Sequence, residues 1–158
     1  MKTYAGLALA LCGLLLVPAQ ASALLELEMG FEPTEACPGD AVQFFFSLEN
    51  VGDQDEEVTF SVTLTFADMV FGPFEGTFHL AAGEEIAREV RFVVPMGTPP
   101  GTLVLEATAA DSAGAVHAQA QVEILDCGDV PGPFGKAEGH TKKLPRTVAK
   151  ALRGIGLK

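Results

Sequence analysis

Hydropathy alternates with a period of two along most of the stretch between Leu25 and Ile124. Val58, Phe60, Val62, Leu64 and Phe66 alternate with Thr59, Ser61, Thr63 and Thr65. Val42, Phe44, Phe46 and Leu48 alternate with Gln43, Phe45, Ser47 and Glu49. A β-strand sends successive side chains to opposite faces, so each such segment has one buried and one outer face. The same reading holds for Leu25 to Phe31, for Leu103 to Ala109 and for Val116 to Ile124. It also holds for Ile86 to Val94, where Arg88 is the one polar member of the buried stripe. A short strand around Thr77 to Leu80 makes seven. Turn formers separate the strands: Pro38-Gly39-Asp40, Asn50-Val51-Gly52-Asp53, Ala82-Gly83, Pro99-Pro100-Gly101 and Asp111-Ser112-Ala113-Gly114. No window of this region carries a 3.6-residue period. The pattern predicts an all-β fold, a seven-stranded antiparallel sandwich of two sheets.

The ends of the 158-residue chain read differently. Lys2, the apolar run Ala5 to Val17 and the small residues Ala21-Ser22-Ala23 form the three regions of a secretory signal peptide. Cleavage is expected after Ala23, with Ala21 as the alternative, leaving no transmembrane segment in the mature chain. Cys12 falls inside the apolar run, so the mature chain keeps Cys37 and Cys127. An even pair in an exported chain predicts a disulfide. In a sandwich of this kind it joins the corner after the first strand to the end of the last. Charge divides the rest: residues 24–127 carry 19 acidic side chains against Arg88 and Arg91, whereas residues 128–158 carry 7 basic against Asp129 and Glu138. The organisation expected is a signal peptide at 1–23, a sandwich at 24–127, and a Gly/Pro linker with a basic amphipathic tail at 128–158. That tail is read as mostly irregular. Leu144, Val148, Leu152 and Ile155 have helical spacing, but so short a helix is marginal in isolation.

The succession Pro38-Gly39-Asp40, Asn50-Val51-Gly52-Asp53, Leu80-Ala81-Ala82-Gly83-Glu84, Val94-Pro95 and Pro100-Gly101-Thr102 resembles the corners of bacterial immunoglobulin-like modules of the cell-adhesion-related domain class. The resemblance covers roughly Leu25 to Leu125. Its motifs are turn signals, so it implies a fold and a non-catalytic extracytoplasmic spacer, adhesion or interaction module, and no particular ligand. Leu103 stands where many relatives carry Tyr. The chain has no Trp, so the buried Trp of antibody domains is missing.

Catalysis is not expected: His79, His117 and His140 are isolated, and no nucleophile stands beside a base. A Ca²⁺ site is the alternative function, with Asp53, Asp55, Glu56, Glu84 and Asp111 on loops that meet at one pole of the sandwich. No other cofactor is expected. Candidates for partner binding are Phe45, outward on its strand, Phe71 and Phe74 in the Gly-Pro loop Met69 to Gly76, and Arg146, Lys150 and Arg153 in the tail. The expected place of Phe71 and Phe74 is tucked under that loop as a satellite cluster, and only if exposed together do they form a partner patch. The partner expected is an envelope or extracellular protein or an anionic surface. The basic tail has two further readings: it holds the protein on a lipid surface, or it docks on the chain's own acidic domain. Nucleic acid is excluded as a partner because the folded part repels phosphate. The function expected is therefore that of a secreted or periplasmic interaction, adhesion or envelope-structural module.

Overall fold

The computed structural model describes residues 24–128 and 143–157. The signal segment with its cleavage point and the linker beyond Gly128 lie outside the described residues. Among the described residues eight strands form: β1 (Leu25–Glu32), β2 (Glu35–Ala36), β3 (Ala41–Asn50), β4 (Glu56–Phe66), β5 (Met69–Leu80), β6 (Glu85–Val93), β7 (Gly101–Ala110) and β8 (Ala115–Ile124). Among the same residues there is one helix, α1 (Lys143–Gly154). A three-stranded sheet, β1-β3-β6, faces a five-stranded sheet, β2-β8-β7-β4-β5.

The alternation predicted from sequence decides which faces meet. Val42, Phe44, Phe46 and Leu48 of β3 and Val58, Phe60, Val62, Leu64 and Phe66 of β4 are buried almost completely. Phe46 stacks on Phe60 across the two sheets at 4.9 Å between ring centroids, and Phe44 lies 5.3 Å from Phe31. Such pairs stabilise a core beyond their buried area. Arg88 does not join this stripe. It is exposed on β6, an outermost strand, and donates to the carbonyl of Ala87.

Three features depart from the seven-stranded antiparallel expectation. First, the opening strand is split. After Pro33 the chain crosses to the other sheet, and β2 pairs parallel with β8, Glu35 opposite Glu123 and Ala36 opposite Ile124. Second, the short strand expected at Thr77 to Leu80 is the end of the twelve-residue β5, which pairs with β4. Ala67 and Asp68 both adopt positive φ (47° and 62°), the geometry of a two-residue type I′ hairpin turn, which returns the chain directly along β4. Gly72-Pro73 resembles a loop in sequence but is absorbed as a bulge opposite Thr63. Proline is tolerated there because β5 is the outermost strand of its sheet. Third, Lys143–Gly154 of the C-terminal tail form a helix that packs on the sandwich. Leu144, Val148, Ala149, Leu152 and Leu157 belong to the same buried cluster as the strands.

Counting β1 and β2 as one divided strand, the first, second and fifth strands form one sheet. The third, fourth, sixth and seventh form the other. This is the connectivity of an immunoglobulin-like sandwich with the fourth strand paired beside the third. Cys37, just beyond β2, is bonded to Cys127, just beyond β8, with Cα atoms 5.8 Å apart. The disulfide expected from sequence therefore clamps the point where the chain leaves the sandwich.

Candidate functional site

The site begins with the bulge in β5. Val62 pairs with Phe74 and Leu64 with Phe71, so one residue of β4 faces two of β5. The extra residue reverses the alternation and turns Phe71 and Phe74, three apart in sequence, to the same face of the strand. Gly72 makes the bulge possible: its φ is 105°, and a Cβ would sit 2.9 Å from the Val62 carbonyl oxygen. Phe74 is buried and Phe71 half-buried against the core. The segment is thus strand rather than loop.

The three-stranded sheet is too narrow to cover five strands, and α1 closes the difference, contacting β4, β5 and β6. Its apolar stripe, Leu144, Pro145, Val148, Ala149 and Leu152, is buried. Leu157 follows over Gly76, where a Cβ would come within 3.1 Å of the leucine side chain. The helix therefore self-docks, but through hydrophobic contact. Arg146, Lys150 and Arg153 remain exposed on its outer side and form no ion pair among the described residues. A helix held on lipid by its apolar face would first have to leave this core.

Between the helix and β5 runs an open groove of about 480 Å³, lined by Phe71, Gly72, Pro73, Phe74, Arg146, Ala149, Lys150 and Arg153. The Arg153 guanidinium carbon lies 5.7 Å from the centre of the Phe74 ring. That contact holds the cation on an aromatic face while leaving guanidinium N–H groups to meet an anion. The fold so brings together five of the six residues proposed from sequence for partner binding. Gly72 and Pro73 were missed as groove residues, because only the bulge turns them toward the helix.

Phe45 is not part of the groove. It is 38% exposed on the outer face of β3 and pairs with Gly30 of β1. A Cβ on Gly30 would lie 2.5 Å from the end of its ring, so Phe45 covers backbone that glycine leaves bare.

Four of the five acidic residues have local partners. Asp55 accepts from the Ala82 N–H (3.1 Å) and Glu84 from the Ala81 N–H (2.8 Å). Asp111 Oδ1 accepts from the N–H groups of Ala113 and Gly114 at 2.7 and 2.8 Å. Ser112 Oγ approaches Glu56 at 3.4 Å, and Asp53 is exposed. The three loops meet at one pole, where Asp55, Glu84 and Asp111 Oδ1 face turn amides, while the buried Asp111 Oδ2 has no hydrogen-bond partner among the described residues. Among the described residues, no three His, Cys, Asp or Glu side chains converge in a way that could hold a metal ion. His117 pairs with Thr108 on the outer sheet face, and His79 is exposed on β5.

No family model matches the chain, and no curated protein matches it. Solved structures resemble it distantly. One is the alkylpurine DNA glycosylase AlkC of Pseudomonas fluorescens bound to DNA containing an abasic site analog (17% identity, TM-score 0.47, covering 66% of this chain and 31% of that one). Another is the sporulation control protein Spo0M of Bacillus subtilis (15%, TM-score 0.42, 65% and 49%). A third is the CARDB domain of a Pyrococcus furiosus protein in complex with di-metal ions (12%, TM-score 0.41, 65% and 94%). The chain spans less than half the length of the first two. Likeness this slight says nothing of activity, and the immunoglobulin-like assignment stands on strand pairing. Among the described residues no helix is long and apolar enough to cross a membrane.

Proposed function

We propose that the chain is an exported, non-catalytic interaction module that holds an anionic partner in the groove between β5 and α1. The reading rests on one observation. In a protein of net charge −11, α1 buries its apolar stripe, and among the described residues Arg146, Lys150 and Arg153 stand beside an aromatic floor without ion-pair partners. Cations not neutralised by carboxylates of the described fold, gathered at one concavity, are what partner recognition needs. The signal-peptide pattern and the Cys37–Cys127 bridge support an oxidising, extracytoplasmic setting. Adhesion or envelope organisation is the role this gives the module.

Removing the tail would not test this, because cutting at Gly128 uncovers the core under α1. The test is cross-linked capture from the native envelope with intact mature protein, comparing wild type with R146E/K150E/R153E. Capture by wild type that disappears in the variant, with both proteins melting alike, is the expected result. Equal capture, or none by either protein, would overturn the reading.

A further inference from the structure

We infer that the occupant of the groove is an extended acidic peptide segment of a partner protein, with carboxylates flanking an apolar side chain. This rests on the reading that the groove is the binding element, and it commits to one chemistry. The open groove has a volume of about 480 Å³, within the range of ligand pockets and much larger than a lone inorganic anion fills. Its floor is aromatic at Phe71 and Phe74, which gives a bare phosphate nothing to contact but suits an apolar side chain. Its outer wall carries Arg146, Lys150 and Arg153 on successive turns of α1, matching carboxylates spaced along an extended chain.

Charge elsewhere argues against an extended anionic plane. Glu26, Glu49 and Glu85 lie side by side across β1, β3 and β6, and the whole molecule is at −11. A lipid surface or a long polyanion extends beyond the groove and meets more of this net negative charge than a short segment does, whose contacts are governed by charges within a Debye length of about 8 Å. The opposite wall is β5, an outermost strand, at Gly72 and Pro73.

The test uses the full mature protein and a fluorescein-labelled hexapeptide, EFEDFE, read by fluorescence anisotropy. Saturable binding is expected that weakens above physiological ionic strength. It should weaken at least about tenfold in R146E/K150E, whose altered side chains stand clear of the core. F71Q should lose affinity equally at low and high salt, since it removes apolar contact rather than charge. The basic hexapeptide KFKKFK should not bind. Absence of peptide binding, or binding unchanged in R146E/K150E, would overturn the inference. So would groove-dependent binding of phosphatidylglycerol vesicles, or of inorganic phosphate, tighter than that of the peptide. If envelope capture needs the cations while the peptide fails, the interaction reading stands and the peptide assignment falls. If capture is also independent of the cations, both fall.

Discussion

Asn50 is wholly buried and fully used. Its amide nitrogen donates to the carbonyls of Gln54 (2.7 Å), Leu80 and Ala81 (both 3.2 Å), and its Oδ1 accepts from the Gly52 N–H (3.0 Å). Its backbone exchanges further bonds with Gly83 and Glu84. One side chain therefore ties the end of β3 to the turn that leads from β5 to β6, and so one sheet to the other. Asn50→Leu keeps the branched shape, adds bulk, and leaves the buried Leu80 carbonyl and the part-buried Gln54 and Ala81 carbonyls and Gly52 amide without this partner. It should cost about 2–4 kcal/mol, seen as a lower urea midpoint with an unchanged slope. A loss under about 1 kcal/mol would mean that water replaces the amide. In the sequence Asn50 reads as an ordinary turn residue, because its three acceptors come from segments whose placement the local pattern does not contain. The acidic loops carry the same lesson: Asp55, Glu84 and Asp111 look like ligands when listed in order, and their neighbours turn out to be backbone amides.

The elements follow local rules until something outside them intervenes. β4 and β7 are legible at sight because their alternation is unbroken. β5 is not, since Gly72-Pro73 imitates a loop and the hairpin before it carries no Asn-Gly signal. Ala67 holds φ at 47° without the side-chain help that favours Asn there. Replacing the pair as Ala67→Asn with Asp68→Gly should therefore raise stability by about 1 kcal/mol, measurable as a higher melting temperature. A decrease would show that Ala67 or Asp68 makes a contact the turn needs. The helix is the opposite case. Its apolar spacing is plain in sequence, but alone it would be marginal, and it persists because β5 and β6 leave a trough that it fills. Leu157 packs so closely over Gly76 that a side chain there would crowd it.

At the scale of the whole molecule, charge is poorly compensated. Glu26, Glu49 and Glu85 stand in one cross-strand row, and like charges directly opposite repel. Stability should therefore rise as salt is added up to about 0.15 M, because screening relieves this repulsion. Peptide binding at the groove should fall over the same range. A melting temperature that falls with salt would contradict this balance. The opposed trends separate the field of the sandwich from the attraction of the helix. The sequence by itself determined the sandwich, the pairing of Cys37 with Cys127, the division of charge and nearly every buried strand residue. Those depend on period-two alternation, on cysteine number and on composition, all of which are local or additive. Tertiary structure alone decided that β5 joins β4, that α1 completes the core, and that Phe71 and Phe74 meet Arg146, Lys150 and Arg153. Each of these is a choice between surfaces far apart in the chain, set by how much apolar area is left uncovered once the strands have paired.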